Sequence, residues 1–297
     1  MTPRILALVP TISPQRVAAA GPWLRAFRAE GIDLRIVANA ASVAAGASSC
    51  EVPVIDSRAN PGFARSIRAA VDAVDDGDWI VLLNDDLVVP DTAPARIRAA
   101  LRDTSSAEAP GAADIVYFDP EPERPLPGRW GVFASLSLLE PVLNRVPHPT
   151  RGRGDRPGYK SFSAVAVRRR TWTELGGLDP RFVFCFEDAF FVRAHLARGG
   201  SLPRAVDVGI AHHKSSTTSR HIARVLPAVA FSARSYLAAV GTPGRAADAI
   251  VVAALLVRAP LALFGSAAPR DHLRGIVRAI GAVLRRREPS LPSYDTL

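Results

Sequence analysis

The sequence predicts an α/β fold, a mostly parallel sheet flanked by helices, followed by a helical C-terminal extension. Three observations carry this. Short apolar runs of strand length alternate with helix-period segments as far as His212. One such run, Trp79-Ile80-Val81-Leu82-Leu83, ends in Asn84-Asp85-Asp86, as a buried parallel strand does when it delivers polar groups to a sheet's carboxyl edge. Beyond residue 220 the strand-length runs cease and long apolar or amphipathic helical patterns take over. With 297 residues and 48% hydrophobic composition, the chain can bury a full core.

In order along the chain, residues 4–9 read as a buried strand. Pro14 to Glu30 reads as a helix with apolar positions at Val17, Trp23, Leu24 and Phe27, ended by Gly31. Leu34-Arg35-Ile36-Val37 is the second strand, followed by a small-residue loop from Ala38 to Ser49 and a third apolar segment, Val52-Pro53-Val54-Ile55. Asn60-Pro61-Gly62 opens a helix through about Val74, with proline at an early position where its missing N–H costs nothing. Thr104 to Pro127 is rich in Pro, Glu, Asp and Ala and holds one short strand, Asp114 to Phe118. Pro147 to Pro157, with Arg151, Arg153, Asp155 and Arg156, reads as a loop over a cleft. Phe162 to Val167 is a strand, Trp172 to Leu175 a short helix, and Asp188 to Arg198 a helix closed by Gly199-Gly200. Val206 to Ala211 is a final strand ending at His212-His213. Strands separated by helices in this order imply parallel βαβ units with right-handed crossovers.

The remaining third divides the chain into residues 1–219, expected to be catalytic, and 220–297, a basic helical extension. The formal charge of +9 is concentrated in that extension, where 11 arginines face four acidic residues, a net +7. Ala249 to Phe264 is apolar except for Arg258 and is interrupted by Pro260, whereas a membrane span needs about 20 residues, so it is expected to lie in an interface or a shallow hairpin. Leu273 to Arg287 places Leu273, Ile276, Val277, Ile280, Val283 and Leu284 on one helical face, with arginines elsewhere. That pattern suits an amphipathic helix on an anionic bilayer, or a core-packing helix with a solvated basic face. No zinc-finger spacing, RNA-recognition signature or aromatic-interleaved basic groove accompanies the charge, so nucleic acid is not an expected partner. Cys50 and Cys185 lie far apart, which indicates neither a zinc site nor a disulfide framework and fits a reducing cytosol. The N-terminal apolar run is too short for a signal peptide and reads as the first strand.

Two acidic clusters carry the chemistry. Asn84-Asp85-Asp86 ends a strand, and Glu187-Asp188 follows Gly176-Gly177-Leu178-Asp179-Pro180. A carboxylate at a strand end can hold Mg²⁺ or Mn²⁺ together with diphosphate oxygens and water. A second carboxylate, which Phe182, Phe184 and Phe186 would partly desolvate and whose like-charged neighbour would raise its pKa further, suits a general base. Taken alone, an Asn-Asp-Asp merely ends a strand at a turn, and Glu-Asp merely begins a helix.

The order of motifs resembles family-2 glycosyltransferases, and most closely their bacterial rhamnosyltransferase-like branch. The residues that carry it are Val9-Pro10-Thr11, Asn60-Pro61-Gly62-Phe63-Ala64, Leu82-Leu83-Asn84-Asp85-Asp86, and the block from Val167-Arg168-Arg169 through Gly176-Gly177-Leu178-Asp179 and Glu187-Asp188 to Gly199. The resemblance spans roughly residues 4–215. It implies a GT-A fold and an inverting, single-displacement transfer from a nucleoside-diphosphate sugar. By it, Asp188 matches the catalytic base with Glu187 as companion. Asp86 and His212 match the divalent-cation (Mg or Mn) positions, and Pro10, Thr11, Asn39, Asn60, Gly62, Asn84 and Asp85 those that hold the nucleotide sugar. The implied partners are a UDP- or dTDP-sugar and a glycan or polyprenyl-linked acceptor of the cell envelope; separately, the basic, apolar extension beyond residue 220 points to the anionic inner face of the cell membrane, to which a cytoplasmic enzyme would attach peripherally.

The sequence departs from that pattern in three places. The nucleobase-reading Asp after the second strand is Asn39, Arg65-Ser66-Ile67-Arg68 replaces the usual Gly and Asn after Ala64, and Phe190 stands where a second acidic residue is expected. Those departures leave a second reading, a catalytically degenerate GT-A module that binds nucleotide or glycan without turnover. A sugar-nucleotide pyrophosphorylase would need a Gly-rich N-terminal loop, and residues 9–16 are Val-Pro-Thr-Ile-Ser-Pro-Gln-Arg.

Overall fold

The structure is a computed structural model that describes residues 2–47, 52–57, 60–74, 76–105, 112–143, 157–212, 221–266 and 268–292. Its strands are β1 (Ile5–Thr11), β2 (Asp33–Ala38), β3 (Val54–Asp56), β4 (Trp79–Leu83), β5 (Leu87–Val88), β6 (Ile115–Tyr117), β7 (Arg124–Pro125), β8 (Gly158–Tyr159), β9 (Ala164–Arg168), β10 (Arg204–Ala205) and β11 (Ala211–His212). The helices are α1 (Pro14–Ala29), α2 (Ala41–Ala47), α3 (Phe63–Asp72), α4 (Ala93–Ser105), α5 (Arg129–Ser137), α6 (Glu140–Leu143), α7 (Arg169–Leu175), α8 (Glu187–Ala197), α9 (Ile222–Ala239), α10 (Gly244–Gly265) and α11 (Pro269–Arg285).

The central sheet has the order β10-β6-β9-β4-β1-β2-β3, parallel throughout except for β9, which runs antiparallel between β4 and β6. This is the mostly parallel, helix-flanked α/β architecture expected of a GT-A domain. Both faces are covered, which is why β4 reads as a continuous apolar run rather than an alternating one. Trp79, Val81 and Leu83 enter one core with Val17, Leu24 and Phe27 of α1 and Ile97 and Leu101 of α4. Ile80 and Leu82 enter the other with Ile67 of α3, Trp172 of α7 and Phe191 of α8. Each such side chain contributes roughly 1.5–3 kcal/mol through burial.

A third core joins Val132 and Leu136 of α5 and Phe182 and Ala189 near α8 to α9, α10 and α11. The extension thus packs on the segment that precedes Glu187.

Several local expectations are corrected. The loop from Ala38 to Ser49 contains α2. Pro61 lies outside its helix, and α3 begins instead after Gly62, whose φ of 96° only glycine adopts readily. Val206 to Ile210 is not strand; β10 and β11 flank it. Pro260 does not break its helix, since α10 runs 22 residues through it and is long and apolar enough to cross a membrane by length and composition. Packing against α5, α9 and α11 offsets the hydrogen bond that Pro260 removes. In α11, Ile276, Ala279 and Val283 are buried against α9 and α10, while Val277 and Leu284 of the expected apolar face are exposed. The 147–156 part of the expected cleft loop, with Cys50 and His213, lies outside the described residues.

Candidate functional site

The carboxyl ends of β1, β2, β3 and β4 converge on one edge because these strands are parallel, and the antiparallel β9 brings its amino end to the same edge. Thr11, Asn39 and Asn84-Asp85-Asp86 therefore meet there, together with Phe162 and Ser163, which lead into β9.

The two acidic clusters are tied to adjacent residues of that lead-in segment. The Asn84 N–H donates to the Ser163 carbonyl at 2.7 Å. The Phe162 N–H faces the Asp188 carboxylate closely enough to favour its anion. Beneath them is a buried polar group that sequence reading missed: Lys160 Nζ donates to the Asp119 carbonyl at 2.9 Å, and the Ser163 hydroxyl donates to the Asp119 carboxylate. Its members are 41 and 44 residues apart in sequence, and no local pattern announces them.

Glu187 and Asp188 open α8, and the chain enters through two consecutive non-glycine residues in the left-handed region, Cys185 (φ 69°) and Phe186 (φ 71°). Such backbone costs on the order of 1–3 kcal/mol per residue and persists only where the surroundings over-determine it. Here those surroundings are visible. Ser232 of α9 accepts hydrogen bonds from the N–H groups of Val183 and Phe184, and the Phe186 ring packs on Tyr236 of α9 at 5.4 Å. Tyr236 in turn donates to the Pro127 carbonyl at 2.9 Å and accepts from Arg193 of α8 at 3.0 Å.

Glu187 is buried, and its Oε2 has no hydrogen-bond partner among the described residues. Burial, and then the charge of Asp188, pushes its pKa well above the carboxylate range. Burial also raises Asp188, though less, because the Ala189 N–H at 2.7 Å, the charge of Arg124 and the Phe162 N–H favour the anion. Neutral Glu187 beside ionised Asp188 is the arrangement these environments favour. The helix N-terminus favours both anions, but burial outweighs it. Phe190, in place of a further acid, packs on Phe182 at 5.3 Å.

At the other cluster the three residues divide. Asp85 accepts from the Thr11 hydroxyl at 2.5 Å and from Arg16 of α1 at 2.7 Å, so this carboxylate is committed to closing the β1–α1 turn. Burial raises its pKa while Arg16 and Thr11 oppose that shift. Arg16 lies 69 residues from its partner, so no local pattern points to this pair. Asn84 and Asp86 are half-buried at the edge. β11 pairs with β5 so that His212 lies opposite Leu87, beside Asp86, although the His212 side chain lies outside the described residues. Among the described residues no group of three or more His, Cys, Asp or Glu side chains gathers to hold an ion. A divalent cation that shares diphosphate oxygens and water needs only one or two protein ligands, and the hard carboxylate oxygens of Asp86 suit Mg²⁺ or Mn²⁺.

Asn39 is buried at the end of β2, and its N–H donates to the Thr11 carbonyl at 2.9 Å. Its amide orientation follows from its neighbours. The Ser66 hydroxyl donates to the Phe63 carbonyl, so the Ser66 oxygen is left to accept the Asn39 Nδ2–H at 3.3 Å. The Asn39 Oδ1 and the nearby Ser42 Oγ are then buried without partners among the described residues. Pro10 is half-buried within β1. Asn60 is engaged structurally, accepting from the Gly62 N–H at 3.2 Å and donating to the Pro292 carbonyl at 3.0 Å. Gly62 approaches the site loop so closely that a Cβ there would lie 2.2 Å from the Val183 carbonyl oxygen.

No protein-family model and no curated protein matches this sequence. Among solved structures, the chain is similar to glucosyl-3-phosphoglycerate synthase from Mycobacterium tuberculosis, with 13% identity over 81% of this chain and 82% of that one at a TM-score of 0.48. A complex of that synthase with Mn²⁺ and uridine-diphosphate-glucose gives 16% identity over 76% and 78% of the chains at 0.47. S. aureus TarS residues 1–349 give 10% identity over 95% of this chain and 80% of that one at 0.43.

Proposed function

We propose that this chain is an inverting glycosyltransferase that moves a sugar from a nucleoside-diphosphate sugar to a hydroxyl of a lipid-linked or cell-envelope glycan. The observation that carries the reading is that Asn84 bonds to Ser163 while the adjacent Phe162 N–H favours the Asp188 anion, which is consistent with a desolvated carboxylate pair beside the sheet edge that ends in Asp86. Residues 1–219 are assigned the chemistry, with 220–297 as a supporting extension.

In this reading Asp188 takes the proton from the acceptor hydroxyl as its oxygen attacks the anomeric carbon. The bond from that carbon to the diphosphate oxygen breaks on the opposite face, which inverts the configuration. Neutral Glu187 leaves Asp188 as the sole anion of the pair and donates to the acceptor or to its neighbour. Asp86, with His212, would hold the divalent cation that neutralises the departing diphosphate. Asn39 Oδ1 accepts from a base carrying an N–H at its pairing edge, which favours uracil or thymine over cytosine; a dTDP-sugar such as the rhamnose donor and a UDP-sugar both satisfy it.

A second reading, a module that binds nucleotide without turnover, is favoured by the commitment of Asp85 to Arg16 and Thr11. Single-turnover assays of UDP- and dTDP-sugars with the full-length protein and Asp188→Asn separate the two. The transferase reading expects a roughly 10²–10⁴-fold loss of sugar release with donor affinity kept. Release that is absent in the wild type, or equal in both proteins, contradicts it.

A further inference from the structure

The outward face of α10 inverts the usual arrangement of a surface helix. Its buried side, which includes Val251, Leu255, Arg258 and Ala262, belongs to the core shared with α5, α9 and α11. Its outward side presents Ala249, Ala253, Leu256, Pro260, Leu263 and Phe264, with Leu256 59% and Phe264 92% exposed. Spacings of three and four residues align these six on one stripe. The single charged residue between Ala249 and Phe264, Arg258, points inward, where it donates to the Leu136 carbonyl at 3.0 Å and to His272 at 2.7 Å. A helix that faces only water does the reverse, so the stripe marks a surface that something apolar covers.

The charge beside the stripe identifies the occupant. α11 returns antiparallel to α10, as the Arg258–His272 contact near one end and the Arg286–Asp248 ion pair at the other require. Its exposed residues include Arg270, Arg274, Arg278 and Arg285, with Asp271 its one acidic residue. An exposed apolar helix face whose antiparallel neighbour exposes several arginines, Arg274 among them paired with Asp271, matches the boundary between acyl chains and anionic headgroups. A second copy docked on the same face would bring like charges together. Because the opposite side of α10 is committed to the protein core, the helix lies in the interface rather than across it. We propose that the α10 stripe, with Arg270, Arg274 and Arg278 of α11, docks this protein on an anionic lipid bilayer. The docking surface stands independently of the reaction assigned above.

Vesicle flotation of the full-length protein tests this, using phosphatidylcholine alone and phosphatidylcholine mixed with phosphatidylglycerol, at low and high salt. The wild type is expected to float with the anionic vesicles at low salt and to keep part of that binding at high salt, since the apolar component is not screened. The double variant Leu256→Glu/Phe264→Glu, at exposed positions and with thermal unfolding as a folding control, loses binding at both salts. Arg270→Gln/Arg274→Gln/Arg278→Gln weakens binding to anionic vesicles by about fivefold per arginine at low salt. Wild-type protein that stays off anionic vesicles at low salt, or a glutamate variant that binds as tightly as wild type, overturns the proposal. So does a sedimentation result in which the glutamates dissociate a wild-type dimer while neither protein binds vesicles, which would assign the stripe to a second copy.

Discussion

Ser232 holds Val183: its hydroxyl oxygen accepts the Val183 N–H at 2.9 Å, and the next N–H, that of Phe184, at 3.0 Å. One buried side chain of α9 thus satisfies two donors of the loop that leads to Glu187 and Asp188. Ser232→Ala strands both, and the expected cost is about 1–3 kcal/mol for each buried unsatisfied group. Urea unfolding monitored by tryptophan fluorescence checks it; a change below experimental error would mean that this loop is positioned by other contacts.

Gly62→Ala is expected to disturb the same loop from the opposite side. The added Cβ would meet the Val183 carbonyl at 2.2 Å, and φ is 96° there. Backbone strain alone is about 1–3 kcal/mol, and the clash adds to it. The variant should unfold at lower denaturant than Gly21→Ala, where an added Cβ meets only the end of a flexible arginine at 3.5 Å.

How much of this was legible beforehand depends on the range of each interaction. The strand Trp79–Leu83 and the helix at Glu187 were legible because burial on both faces and helix-end chemistry leave local patterns. Arg16–Asp85, Asp119–Ser163 and Ser232–Val183 join residues 69, 44 and 49 positions apart, and only the folded topology brings them together. Asn39 stands out in the sequence as a departure from a pattern, but the direction of its amide depends on Ser66 and Phe63, which a sequence does not orient. Pro260 misled for a related reason: tertiary packing, invisible locally, sustains the helix through it.

The raised pKa of Glu187 makes stability depend on pH with a definite sign. A carboxyl whose folded pKa lies above its unfolded value binds more protons when folded, so stability falls as pH rises from the ordinary carboxylate range through the raised folded value. Glu187→Gln removes that penalty. Its melting temperature should exceed that of the wild type increasingly toward alkaline pH, with the smallest difference near pH 4 as the unfolded carboxyl becomes protonated. Parallel pH dependences for the two proteins would show that Glu187 is not the group responsible.

For base recognition, Asn39→Ala is expected to weaken UDP and dTDP binding by about 1–3 kcal/mol, because a base N–H would be buried without its acceptor. CDP, whose ring nitrogen at that position is itself an acceptor, should bind the wild type more weakly and be affected less. Fluorescence titration across the three nucleotides checks the ranking.

The central claim, that this sheet edge holds a nucleoside diphosphate through a cation at Asp86 and presents it to Asp188, is tested most directly by calorimetric titration of UDP and dTDP with Mn²⁺ and with EDTA, using the wild type, Asp86→Ala and Asp188→Asn. The account predicts Mn²⁺-dependent binding to the wild type and to Asp188→Asn, and its loss in EDTA and in Asp86→Ala. Absence of binding by the wild type, or equal affinity in all three proteins with and without the metal, would contradict it.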